Sequence, residues 1–183
     1  MELRQALYGR RATRAFMRDA VPRVVLEALV DAAIQAPSAV NEQPWHFTII
    51  ENEALLDKIS DESKKFMLQT SRKLPERLHE HLASPEFHVF YHAPVLVVIA
   101  AKAGDWAVEN ATLAAENLML AAYGQGLGSC WIGFAQHWLG TEEGREAIAL
   151  DEGYMPVAPI ILGYPSAIAL PVARNRPRLR WID

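Results

Sequence analysis

The residues best suited to do chemistry in this 183-residue chain are arginines gathered at its two ends. Residues 1–23 carry Arg4, Arg10, Arg11, Arg14, Arg18 and Arg23 against Glu2 and Asp19. Residues 174–183 carry Arg174, Arg176, Arg178 and Arg180 against Asp183. Neither stretch contains a lysine. The guanidinium fork is planar, permanently charged and able to grip a phosphate or carboxylate through two parallel N–H bonds. One reading is that both ends converge on a single anion; another is that these are solvated charges at termini. Nucleic-acid binding is a third reading. It is disfavoured by a formal net charge of −4 and by aromatics that do not interleave with the basic residues.

A second stretch with more chemistry than a turn needs is "APSAVNEQPWHF", residues 36–47. It packs two prolines, small side chains, two amides and a tryptophan between a helix and a strand. Other candidate motifs weaken in context. "GQGLG" (124–128) closes a helix and precedes a strand, whereas a dinucleotide fingerprint follows a strand and opens a helix. No Walker-type phosphate loop is present, so any phosphate must be held by arginine side chains. His88 and His92 stand four apart, as metal ligands on one helix face would, with His79 and His81 nearby. No third ligand has convincing spacing, and no metal site is expected. Cys130, the only cysteine, sits in an apolar strand and reads as a buried structural thiol. No "GxSxG" and no glycosidase-like carboxylate pair stands out. With no evident acid, base or nucleophile, either the chain is not an enzyme or a cofactor supplies the chemistry.

The elements that must position these groups follow from periodicity. Leu3, Ala6 and Leu7 predict a short helix over 2–9, with "RRATRAF" as its end or an extended exit. Pro22 suits a first helical position, and Leu26, Leu29, Val30, Ala33 and Ile34 form one apolar face that ends before Pro37. "WHFTII" (45–50) predicts a strand; residues 53–84 are mostly helical in composition, interrupted at Pro75. "APVLVVIAA" (93–101) predicts a strand buried on both faces. Residues 105–126 predict a long helix, nearly apolar all round from Leu113 onward, which hints at a dimer. "SCWIGF" (129–134) predicts a strand, "TEEGREAIAL" (141–150) a helix capped by Thr141, and "MPVAPIILGYP" (155–165) a last core strand. Residues 166–183 read as an arm rich in Pro and Arg.

Length and composition suit one domain, 1–183, of α/β or α+β class. No apolar run reaches a membrane span and the first residues lack the apolar core of a secretory signal, so no membrane partner is expected. A single cysteine fits a reducing cytoplasmic setting.

Three stretches in order, "GRRATRAF" (9–16), "APSAVNEQPWHF" (36–47) and "AAENLMLAAYGQGLGSCWIGF" (114–134), together resemble the flavin-dependent nitroreductase family. "IILGYP" (160–165) and "ARNRPRLRWI" (173–182) extend the resemblance. The resemblance implies an α+β nitroreductase-like fold, with a central, mainly antiparallel sheet surrounded by helices. It implies an intertwined homodimer with FMN at the subunit interface, the 166–183 arm reaching the partner. It implies ping-pong transfer of hydride from NADH or NADPH, through FMN, to a small nitroaromatic, quinone or similar acceptor. Variants on that theme are dehalogenation, desaturation or flavin reduction, or a dimeric FMN-binding protein without turnover.

By the same resemblance, Arg10, Arg174 and Arg176 would meet the FMN phosphate, which accounts for the arginine-only ends better than solvated charge does. Arg11, Ala12 and Thr13 would add contacts, and Arg14 would reach the N1/O2 edge of the ring, where charge develops on reduction. Ile132 and Gly133 would lie beside N5. Pro37, Ser38, Ala39 and Asn41 would touch the flavin held mainly by the partner subunit. The chain departs from the family where Ala12 replaces a frequent serine. It also departs in residues 61–92, where the family's polar contact to the ring has no clear counterpart; Lys73 and His88 are candidates.

Overall fold

A computed structural model describes residues 2–71, 75–167 and 169–183. Its framework is a four-stranded antiparallel sheet in the order β1-β2-β4-β3, built from β1 (Trp45–Ile50), β2 (Val95–Lys102), β3 (Gly128–Trp131) and β4 (Tyr154–Gly163). The two central strands are the apolar runs, because only a strand with neighbours on both edges and layers on both faces buries every side chain. Val95, Val97, Ile99 and Ala101 enter one core, while Leu96, Val98 and Ala100 enter a second core on the opposite face. β4 divides likewise, Ile160 and Leu162 joining the first core and Ile161 the second. Each fully buried Leu, Ile or Val side chain is worth about 1.5–3 kcal/mol relative to exposure.

The first core is covered by α2 (Arg23–Ala33) and α5 (Ala107–Gly124). Helix α2 turns Leu26, Leu29 and Ala33 inward, three positions on one helical stripe. Pro22 is its N-cap, one place before the expected first turn. Helix α5 buries Ala107, Ala111, Ala114, Ala115, Leu118, Met119 and Ala122, and alanine lets it lie close to the sheet. It is not enclosed: Val108 and Leu113 remain exposed in the single chain.

The second core is covered by α3 (Glu53–Thr70), α4 (Glu76–Ala83), α6 (Gly133–Leu139) and α7 (Glu142–Ala147). Asn52 caps α3 by accepting the Leu55 N–H at 2.9 Å, and Thr141 caps α7 by accepting from Gly144 at 3.1 Å. One expectation is corrected here. "SCWIGF" is not a single strand: β3 ends at Trp131, Ile132 becomes an N-cap, and Gly133 opens α6. The apolar residues Phe134, Ala135, Trp138 and Leu139 turn α6 onto the second core, and that packing outweighs the strand-like composition of four residues.

Short α1 (Leu3–Gly9) precedes an extended segment that runs beside the sheet. Thr13 N–H donates to the Ser129 carbonyl at 2.9 Å, and Met17 N–H to the Tyr164 carbonyl at 2.8 Å. The segment is thereby stitched to β3 and to the end of β4. No described helix is long and apolar enough to cross a membrane. Residues 169–183 are exposed and contain no helix or strand.

Candidate functional site

The extended segment after α1 contributes arginines to two hollows lined by successive residues of the chain. Side chains of an extended backbone alternate between faces. Arg11 and Thr13, of one parity, line a cavity of about 370 Å³ with Gly128, Ser129 and Pro165, and Arg10, at the C-cap of α1, lines it too despite its opposite parity. Arg14, of opposite parity, points into a shallower cleft lined by Tyr91, Cys130, Ile132, Gly133 and Phe134. Ala12 sits between, in a parallel bridge to Ser129. β3 thus serves both hollows, Ser129 facing the first and Cys130 the second.

The first hollow is electropositive and incompletely satisfied. Arg10 pairs with Glu116 through Nε at 3.7 Å. Arg11 folds one terminal nitrogen back onto the carbonyls of Tyr8 and Arg10, at 2.9 and 2.7 Å, while its Nε is buried without a partner. An orphaned guanidinium N–H beside a cavity is what an anion would satisfy. Thr13 is nearly buried, and Gly128 is required beneath it: a Cβ there would lie 2.6 Å from the Thr13 side chain.

The second hollow is open and largely apolar. Gly133 is exposed, and a Cβ built on it would meet nothing within 4 Å. The open space keeps the backbone accessible to a planar group. As the first residue of α6, Gly133 has an N–H with no intrahelical acceptor. Cys130 beneath is buried; burial raises its thiol pKa, and the nearby Arg14 and Arg10 only partly offset this. That is the behaviour of a structural thiol.

The loop residues Pro37, Ser38, Ala39 and Asn41 line neither hollow. They form a tight turn at the other end of α5, where Val40, Asn41 and Gln43 all adopt left-handed φ values, 44°, 57° and 52°. The Ser38 hydroxyl is used internally, accepting the Gln43 N–H at 2.9 Å. Asn110 of α5 holds the loop, its side-chain oxygen taking the Ala39 N–H and its carbonyl the Trp45 indole N–H, each at 2.9 Å. Trp45 packs on the first core, the anchoring role its position implies. Arg174 and Arg176 lie in the exposed C-terminal arm, with no ion pair among the described residues.

His88 and His92 share no helix; they lie in turns before β2, their rings stacked with centroids 4.4 Å apart. The structure adds the third group that sequence spacing does not reveal, Asp57 of α3. His88 Nδ1 accepts the Phe90 N–H at 3.2 Å, so the neutral ring carries its proton on Nε2, which faces Asp57 at 3.1 Å. Together the three groups close a hydrogen-bonded turn against α3. His88 lines a separate crevice with Arg18, Glu51 and Asp57, not the Arg14 cleft. Lys73, the other candidate for a ring contact, lies outside the described residues. Tyr91, which sequence reasoning missed, lines the cleft instead.

Residues 7–164 match the family model described as "Nitroreductase family". The chain belongs to the nitroreductase family. This nitroreductase-family chain is 29% identical over 176 residues to a protein of Methanothermobacter thermautotrophicus, provisionally named NADH dehydrogenase/NAD(P)H nitroreductase. The match covers 91% of this chain and 78% of that one. It is 32% identical over 125 residues to an iodotyrosine deiodinase of Thermotoga neapolitana, covering 66% and 67% of the two chains. A crystal structure of a nitroreductase from Bacteroides fragilis with bound FMN superposes with a TM-score of 0.88, at 26% identity and over the whole of both chains. The α+β nitroreductase fold expected from the sequence is thus the fold observed.

Proposed function

We propose that this chain is an FMN-dependent oxidoreductase that takes electrons from NADH or NADPH and passes them to a small acceptor of the nitroaromatic or quinone type. The observation that carries this reading is the pair of hollows that one extended segment serves with successive residues. One is cationic with an orphaned guanidinium nitrogen, and the other is open, largely apolar and edged by Arg14. FMN has the matching shape, a phosphate at one end and a planar ring at the other. When bound it supplies the hydride chemistry for which the chain has no side chain of its own.

The residues then divide the work. Arg10 and Arg11 hold the phosphate end, with Ala12 and Thr13 forming the backbone wall between the hollows. Arg14 presents a fixed cation to the ring edge, and Ile132 and Gly133 offer close backbone approach. Arg174 and Arg176 complete the phosphate cluster through the C-terminal arm, which reaches a second copy. Pro37, Ser38, Ala39 and Asn41 line the ring side of the partner's site. The exposed Val108 and Leu113 of α5 supply apolar surface for that pairing. The site is open, so water can supply protons to the acceptor and no protein acid is required.

A second reading keeps the site and changes the acceptor to a halogenated aromatic, supported by the deiodinase relative. Purified protein should be yellow and should bleach anaerobically with NADH or NADPH. Stopped-flow comparison of the two donors, followed by a panel of nitroaromatic, quinone and haloaromatic acceptors, then assigns the reaction. A colourless protein that cannot be reconstituted with FMN would overturn both readings. A yellow protein reduced by neither donor would point to FMN binding without turnover.

A further inference from the structure

Tyr91 occupies the ring-side cleft although no motif marks it. It stands four residues before β2, in a turn closed by its own N–H to the His88 carbonyl at 2.9 Å and by Ala93 N–H to the Phe90 carbonyl at 3.0 Å. Tyr91 and His92 both have φ of 52°, a left-handed backbone that side chains with a Cβ adopt only under constraint. The constraint is visible. His88 Nδ1 accepts N–H groups on the turn, and the Phe87 ring meets the Tyr91 ring edge-to-face, with centroids 5.7 Å apart and planes at 78°. Two consecutive strained residues aim one aromatic ring, and its face lies against Arg14, whose guanidinium carbon is 6.0 Å from the ring centroid.

Arg14 needs such a partner. It is exposed, sits in an extended segment, and pairs with no carboxylate among the described residues. A free arginine side chain samples many rotamers, and a cation that must be placed at a ring edge gains from being held beforehand. A tyrosine face attracts a guanidinium without neutralising it. A carboxylate would fix Arg14 equally well but would cancel the charge it presents. We propose that Tyr91 is the positioning residue for Arg14, holding its guanidinium at the cleft edge and thereby raising the reduction potential of the bound cofactor. This rests on the FMN reading above.

The test is a double-mutant cycle on the FMN-loaded protein, read as midpoint potential by anaerobic spectroelectrochemistry. FMN affinity and melting temperature are measured beside it. Tyr91→Leu should reduce the preference for reduced over oxidised FMN by roughly two- to fivefold, a fall of about 10–20 mV for a two-electron couple. Tyr91→Phe, which keeps the ring face, should leave the potential at the wild-type value. In an Arg14→Ala background, Tyr91→Leu should produce no further change. A potential unmoved by Tyr91→Leu, or moved equally with and without Arg14, overturns the positioning role while leaving the FMN site intact. A wild-type chain that takes up no FMN overturns both.

Discussion

The side-chain oxygen of Asn110 accepts the N–H of Ala39 at 2.9 Å, across 71 residues of sequence. Asn110 is buried, and its own carbonyl receives the Trp45 indole, so one residue of α5 ties down both ends of the 39–45 loop. Asn110→Ala would leave the Ala39 N–H unpaired in a partly buried place, at a cost of about 1–3 kcal/mol. Urea denaturation should show that loss, and limited proteolysis should move to the loop. A variant as stable as the parent, with an unchanged cleavage pattern, would show that water replaces the amide at no cost.

Arg10 faces the cationic hollow from the end of α1, with Glu116 bound at its Nε edge. Arg10→Ala should weaken FMN binding by about 1.5–3 kcal/mol, the range for a hydrogen bond to a charged group. Arg176→Ala should weaken it similarly if the arm reaches the phosphate of an assembled dimer. Fluorescence titration of the apoprotein measures both. Unchanged dissociation constants in the two variants would reject the arginine cluster.

Gly128 lets Thr13 pack against β3 at a distance no Cβ tolerates. Gly128→Ala should push the 11–14 segment off the sheet and destabilise the fold by about 1–3 kcal/mol. Because that segment aims Arg11 and Arg14 into separate hollows, FMN affinity should fall in the same variant. Loss of stability with full affinity would separate the packing of Thr13 from the aim of the arginines.

Burial lowers the pKa of His88, with the neighbouring His92 acting in the same direction and Asp57 opposing. The folded state therefore disfavours the protonated ring, and the unfolded state takes up the proton first as pH falls. Stability from this residue is complete above the ordinary histidine value of about 6.5. It is lost as pH drops from there through the lower folded value. Melting temperatures between pH 7 and pH 5 should fall less steeply in His88→Gln than in the parent. Parallel pH profiles would show that other groups set the acid response.

Much of the scaffold was legible because it is written in short-range periodicity. The unbroken apolar run before Lys102 could only be a strand with cores on both faces, and the alanine-rich run ending at Gly124 could only be a close-packed helix. The order of the arginine segment, the proline-bounded loop and the "WIGF" stretch sufficed for the family. Helix α6 was not legible. Its seven residues begin at a glycine and continue the composition of the preceding strand, and only contact with the second core makes them helical.

The sequence by itself determined which residues are charged, which are apolar, and with what period they recur, and hence the strands, most helices and the arginine-rich ends. Only the tertiary structure decided how those residues meet. It separated Arg11 from Arg14 by laying an extended segment along β3, and it brought Asn110 to Ala39, Asp57 to His88 and Tyr91 to Arg14. The reason is range. Periodicity reports the environment of a residue's own turn or strand, whereas those pairings depend on sheet order and on left-handed turns at Val40 and Tyr91 that no local pattern announces.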